Sequence, residues 1–275
     1  MSGARPYRYE VGRRPTAGMT MKGLEGCMNE ISPARFYRDN GYALVRGLIS
    51  ADEARACREE CHALLARLRP SDPTWGSARR IAGGGTELRH CHDAQFYSAA
   101  FARLIVDPRF TDVAAELIGS GNVQLHHTKI FVKPAEKGSP FPLHQDAAHF
   151  PHTRHTVGAA IFHFDDAPEE KGCVRVVPGS HRQGPLPHVE EGGWHLPPSS
   201  WPLEEAVPVE ARAGDVLFLN YLTVHGSGVN RAGEARTTLL VQFRDPEDLP
   251  ADDVHRSRGQ GMMLRGVDPL AGSRG

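Results

Sequence analysis

From Val123 onward the chain breaks into short apolar runs parted by Gly and Pro turns: VQLHHTKIFVKP, TVGAAIFHF, VRVVPG, DVLFLNYLTVH and TTLLVQF. Runs of that length read as strands. Strands joined by tight turns rather than by helices argue a β-sandwich or jelly roll and not a parallel α/β sheet. The character upstream is different. Ser32-Pro33 opens a short helix, with serine as cap and proline at the first helical position, and Asn40-Gly41 stops it. YALVRG reads as a strand. Ser50 to Glu53 is a capping box, behind which Ala54, Cys57, Cys61, Leu64, Leu65 and Leu68 recur at helical spacing. The stretch from Arg69 to Gly85 reads as a polar loop. DAQFYSAAFARLI and PRFTDVAAELIG read as two more helices, the second ended by Gly119.

The expected fold class is α+β and β-rich: a double-stranded β-helix (jelly-roll, cupin-like) core with a helical N-terminal part packed on it. Helices fill 31–120 and the jelly roll 121–245, together one domain over 31–250. Residues 1–30 form an arm and 251–275 an exposed extension. Residues 182–212, with Trp194 and Trp201 among prolines and glycines, make an insertion long enough to act as a lid. A net charge of −1 and 40% hydrophobic residues suit a soluble protein and give no reason to expect nucleic acid or membrane as a partner. The N-terminus lacks the apolar core of a secretory signal. Five cysteines without a framework spacing suggest reduced thiols and a cytoplasmic address.

Chemistry concentrates in PFPLHQDAAHFPH, residues 140–152. His144 and Asp146, at i and i+2 of an extended segment, project to one face and can share a metal ion. A third ligand must come from elsewhere, and His225 in YLTVHGSGVNR is the best candidate. Two histidines and one carboxylate with the other positions open mark non-haem Fe(II) oxygenases. Arg236 follows eleven residues later, at the start of TTLLVQF. A guanidinium entering a barrel is costly to bury unless it grips an anion, which it can do bidentately.

HQDAAHF, KGCVRVVPGSHRQG, GDVLFLN and HGSGVNR resemble, in order, the motifs of the phytanoyl-CoA dioxygenase family. YRDNGYALVRGLIS and LIGSGNVQLHHTKIFVKP extend the resemblance over roughly residues 33–245. The resemblance implies an Fe(II)- and 2-oxoglutarate-dependent dioxygenase with O2 as oxidant, metal ligands His144, Asp146 and His225, and Arg236 on the far carboxylate of 2-oxoglutarate. It implies Ser227 beside Arg236, and it makes Lys129 and Arg89 candidate cosubstrate contacts. Strand alternation puts Lys129 on one face with Val123, Leu125, His127 and Phe131. Asp146 stands where related halogenases carry Gly or Ala, which favours hydroxylation of an unactivated C–H, with release of succinate and CO2. Desaturation or cyclisation would use the same ligands. GAAIFHF stands where mammalian acyl-CoA members carry a tryptophan, which favours a small polar or natural-product substrate over an acyl-CoA. The expected assembly is a monomer or homodimer. The alternative from another class is a cupin-like metal-binding module without catalysis, for which Arg236 would have no use. A zinc hydrolase would prefer Glu or a third His.

Overall fold

In the computed structural model, which describes residues 8–9, 32–68, 78–83, 85–190, 194–252 and 256–273, the helix signals act where the sequence puts them. Helix α1 (Pro33–Asn40) starts at Ser32, whose hydroxyl accepts from Arg35 N, and ends at Gly41 with φ 80°. Helix α2 (Ala51–Arg67) carries the full capping box between Ser50 and Glu53. Helix α4 (Pro108–Ile118) is capped by Asp107 and closed by left-handed Gly119. Between them DAQFYSAAFARLI is not one helix. A 3-10 turn at Ala94–Phe96 and the short α3 (Ala99–Leu104) are separated by Ser98, which caps α3 instead of continuing the turn.

All strands of the two sheets pair antiparallel. The larger sheet runs β1 (Arg8–Tyr9), β2 (Tyr42–Arg46), β10 (Val216–Asn220), β7 (Gly158–His163), β12 (Arg236–Arg244), β5 (Val123–Lys133), β4 (Thr86–His92), β3 (Ala78–Gly83). The smaller runs β6 (Phe141–His144), β11 (His225–Ser227), β8 (Val174–Val176), β9 (Val207–Val209). One apolar cluster seats the helices on the outer face of the large sheet. There Phe110 of α4 meets Phe162, Phe218 and Phe243 at ring separations of 5.3, 6.1 and 5.7 Å. A second cluster lies between the sheets, built from Leu44, Ala159, Val174, Val176, Leu217 and Leu219. This is the jelly roll with a helical layer on one side.

Three stretches differ from their sequence reading. Residues 78–83 are a strand within the expected loop, and they pair with β4, which carries Arg89. The insertion contains β9, which extends the small sheet. The tail returns as β13 (Met263–Arg265) to pair with β5. A fourth difference is in register. Gln242 faces His127 but Phe243 faces Leu125, so His126 is an extra residue and β5 bulges there. The bulge reverses alternation. Val123 and Leu125 therefore join Ile130 and Val132 under the helices, while Lys129 shares the inner face with Phe131 and Lys133. The expected N-terminal arm, apart from Arg8–Tyr9, and the first part of the expected loop, residues 69–77, lie outside the described residues.

Candidate active site

Pairing of β6 with β11 sets His225 directly opposite His144. Asp146 follows in the 3-10 turn Asp146–Ala148. His144 Nδ1 lies 2.9 Å from Pro142 O, and His225 Nδ1 lies 2.9 Å from Thr223 O. A carbonyl only accepts, so each Nδ1 carries the proton and each Nε2 presents a lone pair. The two Nε2 atoms stand 3.7 and 3.9 Å from Asp146 Oδ1. The three donor atoms lie within 4.8 Å of one another, the one such His/Cys/carboxylate cluster among the described residues. That donor set suits a divalent transition metal with open positions.

Electrostatics prepare the triad for a cation. Burial pushes the Asp146 carboxyl up, but His225 and His144 outweigh it and hold the group well below the usual carboxylate range. Burial, reinforced by His144, brings His225 down to about 4, so it is neutral at pH 7. Burial also opposes protonation of His144, yet the hydrogen bond and charge of Asp146 leave it raised; Lys129 is close enough to act against that rise. Gln242 Nε2 donates to Asp146 Oδ2 at 2.7 Å, which leaves Oδ1 facing the two imidazoles.

Behind the triad is a cavity of about 100 Å3, walled by Phe131, Phe141, Ile161, Val174, Leu219 and Leu240. Ser227 and Arg236 lie in its lining. Arg236 is buried, donates to Gly172 O, and has no partner for Nε. Its cross-strand neighbour is Lys133, also buried, whose Nζ donates to Ser227 Oγ and Gly228 O, each at 2.7 Å. Among the described residues neither side chain is ion-paired with a carboxylate. Two buried basic side chains side by side make a receptor for a carboxylate.

His144, Asp146, His225, Ser227 and Arg236 thus come together. Lys129 reaches the inner face at the metal end, its Nζ 4.7 Å from the Phe131 ring centroid. Arg89 does not reach the cavity. It pairs with Val132, whose side chain faces the helices, and its exposed guanidinium is 2.7 Å from Glu87. Lys133 and Gln242 were missed. Period 2 places Lys133 on the face of Lys129 and Phe131, and Gln242 on that of Arg236, but it does not tell a sealed lysine from one that reaches water.

Gln145 binds the insertion to the metal strand. Its N–H donates to His188 Nε2, its amide donates to Gly184 O and Leu222 O, and Leu186 N donates to its oxygen. Beyond it, Leu196 N donates to Leu143 O. Trp194 stands at the mouth, 46% exposed, its ring 6.4 Å from that of His149, which lies 6.2 Å from His144.

Residues 37–238 match the family described as Phytanoyl-CoA dioxygenase (PhyH), a span of most of the chain. The chain belongs to that family. Its relatives include a probable alpha-ketoglutarate-dependent hypophosphite dioxygenase of Stutzerimonas stutzeri, 27% identical over 78% of this chain and 79% of that one. They also include the L-proline trans-4-hydroxylase of Streptomyces griseoviridis, 26% identical over 80% of this chain and 88% of the other. Among solved structures, the epimerase SnoN in complex with Fe3+, alpha ketoglutarate and nogalamycin RO superimposes with a TM-score of 0.67. It is 28% identical over 89% of this chain and 99% of its own. Family members of this kind are Fe- and 2-oxoglutarate-dependent dioxygenases, and this chain is an enzyme of that class.

Proposed function

We propose that one Fe(II) is held by His144 Nε2, Asp146 and His225 Nε2, and that 2-oxoglutarate enters the cavity with its distal carboxylate on Arg236, Lys133 and Ser227. The reaction is hydroxylation of an unactivated C–H of a small molecule, with release of succinate and CO2. The observation that carries this reading is the juxtaposition: three metal-ready donors at one end of a cavity, and at the other buried Arg236 and Ser227, backed by buried Lys133, without a carboxylate. A metal-binding module without catalysis has no use for the second end.

When bound, the iron and the keto acid supply the oxidising chemistry. The chain supplies position. Gln242 fixes the rotation of the Asp146 carboxylate, and the two backbone carbonyls fix the imidazole tautomers. Phe131, Phe141, Val174 and Leu219 keep water from the cosubstrate. Lys129, close enough to act on His144, would offer a positive charge to the metal-bound part of the cosubstrate. Ala159 and Ile161 line the cavity where a bulkier side chain would narrow it. With relatives named for hypophosphite and L-proline, that space favours a small polar or natural-product substrate over an acyl-CoA. The likeness to an epimerase supports stereoinversion, which needs the same residues, as a second outcome at this centre.

Residues 31–250 act as the catalytic domain, as a monomer or homodimer. The described cysteines are free thiols, which fits a reducing, cytoplasmic setting for Fe(II); among the described residues no helix is long and apolar enough to cross a membrane. The test is succinate release after Fe(II)-loaded, anaerobic protein is mixed with 2-oxoglutarate and then oxygen. Wild type should release succinate and Asp146→Ala should not. Equal release by both removes the metal assignment.

A further inference from the structure

Lys133 makes two hydrogen bonds, to Ser227 Oγ and Gly228 O, and its Nζ lies 5.1 Å from the Phe141 ring centroid. A neutral amine has two N–H groups and one lone pair; an ammonium has three N–H groups and no lone pair. The two bonds seen here use up the donors of the neutral form. The surroundings favour that form as well. From β12 comes Arg236, its partner in register. From the turn before β8 comes Cys173, whose thiol burial pushes up to about 11, so it carries no charge at pH 7. From β7, His163 faces Arg236, and burial followed by that arginine brings it down to about 4. The hydroxyl of Ser227 on β11 and the ring of Phe141 on β6 add no charge. On β4, Glu87 is engaged by Arg89 and Lys137.

Two cations side by side in a dry cavity are costly, and one can yield. Burial lowers Arg236 only to about 10, so it stays charged at pH 7. Burial, then Arg236, drives Lys133 well below the ordinary lysine range. Resting on the cosubstrate reading above, we infer that Lys133 is a neutral amine in the empty cavity and takes up one proton from solvent when the distal carboxylate of 2-oxoglutarate arrives. Cosubstrate binding is then linked to proton uptake. The third N–H formed on protonation has the incoming carboxylate as its acceptor.

The sign follows from linkage. At pH below the empty-cavity pKa the lysine is already charged, and affinity is independent of pH. Between the empty and the filled values, affinity for 2-oxoglutarate falls as pH rises, by up to about tenfold per unit for one proton. The experiment is calorimetric titration of 2-oxoglutarate into anaerobic Fe(II)-loaded protein, in phosphate and in Tris, from pH 6.5 to 9. The dependence of the observed heat on buffer ionisation enthalpy counts protons. Wild type should take up close to one proton over part of that range, and Lys133→Met should bind more weakly with that uptake gone. Because Lys133→Met could lose binding altogether, the ε-carbon resonance of Lys133 in 13C-lysine-labelled protein loaded with Zn(II) gives an independent reading. It should sit at the free-amine position and move to the ammonium position when 2-oxoglutarate is added. Binding without uptake across the range, uptake that persists in Lys133→Met, or an ammonium resonance before ligand is added each overturns the inference and leaves the cosubstrate reading intact. No binding by wild type removes both.

Discussion

Arg236 and Gln242 lie on one face of β12, six residues apart, and serve the two ends of the cavity. Arg236→Lys keeps the charge but loses the planar fork. It should raise the apparent KM for 2-oxoglutarate roughly 10- to 100-fold, the loss of one good charge-assisted bond, while iron content by metal analysis stays unchanged. Gln242→Leu should do the reverse. Removing the donor to Asp146 Oδ2 should cost about 10- to 100-fold in Fe(II) affinity, read by chelator competition, with the KM for 2-oxoglutarate little moved. If both variants change the same parameter, the division of the cavity into a metal end and a carboxylate end is wrong. His144, Asp146, His225 and Arg236 were legible because their chemistry is tied to a spacing. Lys133 was not, because a lysine on a half-apolar strand looks the same from sequence whether it snorkels to water or is sealed in beside an arginine. Arg89 was placed on the cosubstrate side for the complementary reason: the face it occupies is set by the register of β4 on β5, where it pairs with Val132, and by no signal in its own segment.

Caps and turns are local, and the elements they govern were readable. Ser50 shows the energetics: Ser50→Ala should cost α2 about 1 kcal/mol, measured by denaturant midpoint. Its partner Glu53 adds a pH dependence. The hydrogen bond from Arg109, then the backbone N–H of Ser50, holds the Glu53 carboxyl at about 2, below the ordinary value of 4.5. A depressed acid stabilises the fold fully above its ordinary value and ceases to do so as pH falls towards 2. The side chain is 43% exposed, so the effect should be small and weakened by salt. Glu53→Gln should flatten the stability profile between pH 5 and 3; an unchanged slope would show that Arg109 contributes nothing there. The insertion was legible in part. Its length and tryptophans mark it, but its anchoring depends on contacts far along the chain. Trp201 packs with Leu143, Leu196 and Val224, whereas Trp194 stands exposed beside His149. Substrate added anaerobically should therefore alter the emission of Trp194, and the response should vanish in Trp194→Phe and survive in Trp201→Phe. The opposite pattern would place substrate at the anchored end.

At the scale of the whole molecule, the number and kind of strands follow from alternation and turns, but which strands neighbour each other does not. β10 pairs with β2 and β7, and β12 with β5 and β7; every one of these partnerships is settled by burial of both faces, not by local signals. The tail is the sharpest case. Met263–Arg265 is three residues of a charged, Gly-rich segment, too short to announce a strand, and it pairs because β4 covers β5 only over Lys129 to Val132 while β12 runs on to Gln124, which leaves that edge of β5 open. Leu125 N donates to Met262 O at 2.8 Å and Gly261 N to Leu125 O at 2.9 Å. Leu264 enters the core beneath the helices, and Arg265 reaches Asp112 of α4 at 3.1 Å. The tail therefore closes the sheet against the helical layer. Leu264→Ala should cost about 2–4 kcal/mol, the usual range for emptying a buried leucine site, whereas Arg265→Ala, an exposed pair, should cost well under about 1 kcal/mol. Both variants should still bind Fe(II) at the wild-type ratio when folded, since the triad is carried by β6, the turn that follows it, and β11, away from β13. Thermal unfolding followed by circular dichroism, with metal content measured on the same samples, separates the two effects. A Leu264→Ala protein that melts with wild type would mean that β13 merely rests on β5 and that the core is complete without it.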